Sequence, residues 1–118
     1  MKDLNKVKKE KFFRRQRRTR AQITGTTSKP RVSVFRSLSH ISVQAIDDVN
    51  GKTLVAASDK EAKGKGSKTE IAALVGELIG KKLVENKISE IVFDKGAYKY
   101  HGRIKALAEG IRKSGINF

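Results

Sequence analysis

Between residues 31 and 111 the spacing of apolar residues switches from two to between three and four, and then repeats the switch. This restricts the body of the chain to a sheet covered by helices. Val32 and Val34 alternate with other residues, as do Ile41, Val43 and Ala45, and a third short run spans 52–58. Alternation of this kind predicts strands at 31–36, 41–47 and 52–58, because successive strand side chains point to opposite faces. Tight turns at Ser37 to His40 and at Asp48-Val49-Asn50-Gly51 join them, the second with an Asn-Gly pair suited to positive φ. The three strands therefore form an antiparallel meander. From Ser67, which with Glu70 makes a Ser-x-x-Glu capping box, the apolar residues Ile71, Leu74, Val75, Leu78, Ile79 and Leu83 recur at helical spacing up to about Asn86. Ile91-Val92-Phe93 predicts a fourth strand. Ile104, Leu107, Ala108 and Ile111 predict a second helix that stops at Gly115, after Arg112 and Lys113. The order βββαβα defines an α+β fold, a four-stranded mixed sheet packed by two helices.

Ahead of this body lies a segment of different character. Residues 1–31 hold twelve Lys and Arg against Asp3 and Glu10, a net of +10 out of +15 for the whole chain. Residues 2–23 contain neither Gly nor Pro, which permits a helix, but Leu4, Val7, Phe12, Phe13 and Ile23 are too sparse for a core-facing stripe. Arg14, Arg15, Arg17, Arg18 and Arg20 place five guanidinium groups within seven residues. Mutual repulsion predicts disorder or partial helix in solution and ordering on a polyanion. Thr24-Gly25-Thr26-Thr27-Ser28-Lys29-Pro30 reads as a linker. The expected organisation is a basic N-terminal arm at 1–23, a linker at 24–30 and a globular α/β domain at 31–118.

Composition narrows the chemistry. The chain has no cysteine and two histidines, so disulfides and thiolate metal sites are excluded, and no metal or other cofactor is expected. No apolar run approaches the ~20 residues that span a bilayer, and the cationic start lacks a signal peptide's apolar segment. A cytoplasmic protein without a small-molecule substrate is expected. The positive field by itself suits nucleic acid, an anionic membrane or an acidic protein.

Topology gathers the candidate site. A strand reached through a helical crossover runs parallel to its neighbour, so strands one, three and four share a direction and their carboxyl ends lie on one edge. The turn at 37–40, the Lys-Gly loop at 60–66 and the loop Asp94-Lys95-Gly96-Ala97-Tyr98-Lys99-Tyr100-His101-Gly102-Arg103 all emerge there, where ligands of such sheets bind. The last of these interleaves aromatic rings with cations, a mixture that suits RNA: rings stack on bases and cations pair with phosphates. Ordinary packing of the two tyrosines is the competing reading. Alternate residues of an extended loop point the same way, so both rings are expected on one side of it, at least one of them exposed. Arg36, His40, Lys63, Lys65, Lys95, Lys99 and Arg103 complete the expected surface. His40 and His101 have no carboxylate or cysteine partner nearby in sequence, which favours phosphate or 2′-hydroxyl contact over acid–base chemistry.

Enzymatic alternatives are weaker. Gly64-Lys65-Gly66-Ser67-Lys68-Thr69 sits between strand and helix like a nucleotide-phosphate loop, but Ser67 breaks the Gly-Lys-Ser/Thr order and Glu occupies position 61, where the first glycine should fall. The helix start there retains a weaker capacity for phosphate through its free amides. A meander followed by αβα also resembles the ribonuclease H type of sheet, whose enzymes gather carboxylates around two metals. Here Asp47, Asp48, Glu70 and Asp94 are scattered over turn, cap and strand-end positions. The topology is thus expected without that active site, and a basic membrane-surface protein is the remaining rival.

Several separated blocks together resemble the bacterial large-subunit ribosomal protein L18 family. They are Lys29-Pro30-Arg31-Val32-Ser33-Val34-Phe35-Arg36-Ser37, His40-Ile41, Ile46-Asp47-Asp48, Val92-Phe93-Asp94-Lys95-Gly96, Tyr98-Lys99-Tyr100-His101-Gly102-Arg103 and Lys105-Ala106-Leu107-Ala108-Glu109-Gly110. The resemblance runs essentially end to end. It implies a structural constituent of the large ribosomal subunit that binds 5S rRNA and helps attach it to 23S rRNA in the central protuberance, beside neighbouring large-subunit proteins. It further implies that Arg31, Arg36, Ser37 and His40 form one RNA-contacting block and Lys95, Tyr98, Lys99, Tyr100, His101 and Arg103 another, with the arm among phosphates. Two positions depart from the family pattern. Leu38 stands where an Asn follows Arg-Ser, removing a polar contact, and Ala97 replaces a second Gly, which argues against positive φ there.

Overall fold

A computed structural model describes residues 4–21 and 23–118, with every side chain among them except those of Leu4 and Arg20. The elements run in the order α1 (Leu4–Arg20), β1 (Arg31–Arg36), β2 (Ile41–Asp47), β3 (Lys52–Ser58), α2 (Asp59–Ala62), α3 (Lys68–Glu85), β4 (Val92–Asp94) and α4 (Arg103–Lys113). The sheet order is β3-β2-β1-β4. β1 pairs antiparallel with β2 and β2 with β3, whereas β4 joins β1 in parallel after the α3 crossover. The mixed four-stranded sheet and its two packing helices follow the expected α+β plan. β1, β3 and β4 accordingly end on one edge.

One face of the sheet carries the core. Val32 and Val34 of β1 and Ile41, Val43 and Ala45 of β2 are buried against Val75, Ile79 and Leu83 of α3 and Ile104, Leu107 and Ile111 of α4. Their period of two on the strands and of three to four on the helices puts them on facing surfaces. α3 and α4 approach almost to backbone contact. A Cβ added at Gly76 would collide with the Leu107 carbonyl, and one at Gly110 would lie 2.5 Å from the Ala73 carbonyl oxygen. Backbone cannot yield as a side chain does, so Gly76→Ala should destabilise the fold by about 1–3 kcal/mol through overpacking. Urea denaturation checks this, with a lowered midpoint and an unchanged slope expected.

Two segments differ from the sequence expectation. The start of the 60–66 loop is a single helical turn, because the Ser58 hydroxyl accepts from the Glu61 amide and Lys63 adopts the left-handed conformation at φ 51° that ends it. Residues 24–30, expected as a linker, are tied to the β2–β3 turn. The Gly25 amide donates to Asp48 Oδ2 at 2.7 Å and the Thr27 hydroxyl to Asp47 Oδ2 at 2.6 Å. Buried Asp47 also accepts from Asn50 Nδ2 at 2.7 Å and from the Val49 and Asn50 amides.

These donors favour the charged carboxylate. The Thr27 and Asn50 hydrogen bonds outweigh burial and hold the Asp47 carboxyl below its ordinary value. A depressed folded pKa stabilises the fold above the ordinary carboxylate pKa of ~4, and that stabilisation is lost as pH falls through the folded value. In thermal melts taken on the acid side of pH ~4, Asp47→Asn should therefore lose less stability per pH unit than the wild type, while melting lower at neutral pH. Parallel acid profiles for the two proteins would show that Asp47 does not contribute in this way.

Candidate nucleic-acid interface

The carboxyl edge of the sheet is laced together by its own loops. At the end of β1, the Ser37 amide donates to the His40 carbonyl at 2.9 Å and the His40 amide to the Ser37 hydroxyl at 3.0 Å, closing the first turn. Leu38, at its tip, is exposed. Arg103, at the start of α4, donates from Nη1 to the Ser37 carbonyl at 2.8 Å. The Tyr98 hydroxyl accepts from the Arg36 amide at 3.2 Å and donates to the Arg36 carbonyl at 3.0 Å. The turn and the aromatic-basic loop, some sixty residues apart in the chain, thus share one surface.

His40 ties in the third strand end, with Nδ1 2.7 Å from Asp59 Oδ2. Asp59 is 19 residues downstream, and antiparallel pairing of Ser42 with Ser58 brings the two together. Burial works against the charged Asp59, but the hydrogen bond and charge of His40, with the Lys60 amide, hold its carboxyl below the ordinary range. His40 therefore has the carboxylate partner that local sequence did not reveal. Lys63 and Lys65 stand exposed just beyond α2.

Within the 94–103 loop, Gly96 and Gly102 take positive φ and Ala97 does not, in line with the expectation from Ala97. Asp94 accepts from the Gly96 amide at 2.8 Å, and Lys95 reaches the Tyr98 carbonyl at 3.3 Å. The tyrosines have separate surroundings. Tyr98 is half-buried, with the Arg36 guanidinium 4.8 Å above its ring and Phe12 of α1 edge-on at 5.8 Å. Tyr100 is exposed, with its ring edge-on to Phe93 and its hydroxyl accepting from Arg112. Lys99 and His101 are exposed between and beyond them. Tyr98 is thus occupied by packing, while Tyr100 keeps an accessible ring.

α1 is an unbroken helix of 17 residues. Its contacts with the body include Phe12 on Tyr98 and the Thr19 hydroxyl donating to the Gly96 carbonyl at 2.8 Å. Arg14, Arg15, Arg17 and Arg18 are exposed along it. The side chain of Arg20 lies outside the described residues, as do residues 1–3 and Gln22 of the arm.

Arg31 has a different fate from its neighbours in the first block. Its guanidinium donates to Asp94 Oδ2 at 2.7 Å and to Asp48 at 2.9 and 3.0 Å, leaving the side chain 12% exposed. The Asp48 hydrogen bond, opposed by burial and aided by Asp94, raises its pKa. Arg31 therefore neutralises two carboxylates inside the protein. Arg103 is the opposite case: burial, with Arg36 nearby, lowers its pKa against the pull of Asp59, and its Nε is buried without a hydrogen-bond partner.

Three of the four carboxylates weighed for catalysis are likewise committed, Asp47 to Thr27 and Asn50 and both Asp48 and Asp94 to Arg31, while Glu70 stands exposed in the first turn of α3. Among the described residues no group of three or more His, Asp or Glu is placed to hold a metal ion, and no helix is long and apolar enough to cross a membrane. Fold and surface together define a small, strongly basic α+β domain whose cations converge at one sheet edge. The chain belongs to the ribosomal L18 family of archaea, bacteria, mitochondria and chloroplasts, whose model matches residues 6–118.

It is 51% identical over 117 residues to the large ribosomal subunit protein uL18 of Chloroherpeton thalassium, covering 93% of this chain and 98% of that one. It is 54% identical over 108 residues to uL18 of Bacillus cereus, with 89% and 90% covered. The uL18 of Streptococcus suis is 50% identical over 118 residues, with 98% and 93% covered. The chain is a structural component of the large ribosomal subunit and not an enzyme.

Proposed function

We propose that this protein grips 5S rRNA and helps attach it to 23S rRNA in the central protuberance of the large subunit, beside neighbouring ribosomal proteins. One observation carries the reading. Arg15 from α1, Arg36 from the end of β1 and Lys99 and His101 from the loop before α4 line a single groove that, among the described residues, no carboxylate lines. Cations drawn from positions so far apart converge only if the fold gathers them, and an uncompensated cluster is stabilised by a polyanion.

In this reading Arg14, Arg15, Arg17, Arg18 and Arg20 of the arm meet phosphates, together with Arg36, Lys63, Lys65, Lys95, Lys99 and Arg103. Ser37, His40 and His101 supply phosphate or 2′-hydroxyl contacts, and Tyr100 offers the accessible ring. Tyr98 supports the site by fixing Arg36, and Arg31 acts from inside the fold.

Competition binding at ~150 mM salt tests the proposal, with labelled 5S rRNA challenged by heparin and by an unrelated structured RNA of equal length. At this ionic strength exposed charges more than about 8 Å apart are largely screened, so shape-specific contacts should let 5S rRNA resist both competitors. Displacement by heparin at matching charge would reject specific recognition.

A further inference from the structure

The outer face of the sheet, opposite α3 and α4, differs in chemistry from the rest of the molecule. Alternation puts Ser33 and Phe35 on the side of β1 away from Val32 and Val34, and the antiparallel register sets Ser33 beside Gln44 and Phe35 beside Ser42. In a chain whose residues are 33% charged, these four neighbours carry no charge, and Phe35 is 64% exposed. A solvated sheet face normally alternates to polar side chains, so an open phenyl ring there calls for an occupant.

α1 turns this patch into a slot. Phe12 and Phe13, edge to face at 5.7 Å, wall a groove of about 560 Å³ over Ser33, Phe35, Ser42 and Gln44. Behind the wall that Phe12 and Tyr98 form lies the cationic groove of Arg15, Arg36, Lys99 and His101. A neutral aromatic compartment and a cationic one therefore share a partition, and among the described residues neither is lined by a carboxylate.

We infer that the paired grooves hold one unpaired nucleotide of the bound RNA, its base in the aromatic slot and its phosphate in the cationic groove. The inference rests on the RNA-binding reading above and adds the element recognised. Phenyl faces stack on any base, while hydroxyls and a carboxamide both donate and accept, so the floor can meet a base's polar edge. A base inside a duplex is stacked on both faces and cannot enter, which makes the target a loop, bulge or end. The charge pattern suits a nucleotide because its ring system is neutral and its anion sits one sugar away. An acidic peptide would satisfy the cations and leave the slot unfilled.

The test uses the full chain and 5S rRNA, comparing wild type with Phe35→Ser and Gln44→Ala, both at exposed positions outside the core. Phe35→Ser should weaken binding about fivefold to a hundredfold, from single-strand stacking precedent. It should leave the salt slope unchanged because no cation is removed. Gln44→Ala should weaken binding several-fold with the same slope. Irradiation at 254 nm should join an unpaired nucleotide to a peptide containing Phe12 and Phe13 or Phe35. Wild-type affinity in both variants, or cross-links confined to other peptides, would overturn the inference and leave the slot to a protein neighbour. Should wild type itself fail to prefer 5S rRNA over heparin, the RNA-binding reading falls instead, so the two failures are distinguishable.

Discussion

Removal of residues 1–22 should lower affinity for 5S rRNA steeply and flatten its salt dependence. The deletion takes out ten cations and two carboxylates and leaves the core intact, because none of the described side chains of α1 belongs to the buried cluster. Each phosphate neutralised releases counterions, so a protein making six to ten such contacts loses about 10³- to 10⁵-fold in affinity between ~50 and ~200 mM salt. With five or six of those contacts in the arm, the slope of log K against log salt should fall by roughly four to five. A milder variant separates charge from packing. Replacing Arg14, Arg15, Arg17 and Arg18 with Gln keeps Phe12 and Thr19, which tie α1 to the 94–103 loop, and should reduce the slope by about three. Filter binding across a salt series measures both. An unchanged slope in the deletion would show that the arm does not meet phosphate.

Arg31→Ala should act on the fold more than on binding. Asp94 is fully buried, and the substitution takes away a guanidinium 2.7 Å from its carboxylate while also releasing Asp48. Removing one partner of a buried ion pair typically costs about 3–5 kcal/mol, because the remaining charge is stranded in low dielectric. The Gly96 amide still donates to Asp94, which favours the lower end. For a domain of this size that corresponds to a fall in melting temperature of about 10 °C or more. A variant that melts like wild type yet binds RNA poorly would return Arg31 to the interface and overturn its internal role.

Arg31 also shows where sequence reading stopped. It lies in a cationic block with Arg36 and reads as one of a set, and only the pairing of β1 with β4, which sets Arg31 beside Val92 and Ser33 beside Asp94, reveals the carboxylate beneath it. The same holds for His40, whose partner Asp59 arrives by strand pairing across 19 residues. It holds for Tyr98, whose ring is claimed by Arg36 and by Phe12, which is 86 positions earlier in the chain. The outer-face slot was illegible for a related reason. Phe35 looked like one more strand residue until the register put Ser33, Ser42 and Gln44 around it.

Features set within a short window were read directly. The strands at 31–36, 41–47 and 52–58 have the expected bounds, since alternation and turn chemistry are local. The fourth strand sits one residue later than Ile91 to Phe93, at Val92–Asp94, because the Ile91 amide bonds to the Asn117 carbonyl and the Val92 amide to the Pro30 carbonyl. The one-turn helix α2 escaped notice because it depends on a single cap and a left-handed lysine. By itself the sequence determined the four strands and two packing helices, their order, the excess of positive charge and the arm that carries most of it, all properties of neighbouring residues. Tertiary structure alone decided which cations are neutralised internally and which remain for a polyanion, because a charge is cancelled by whatever lies within a few ångströms in space, however distant in the chain.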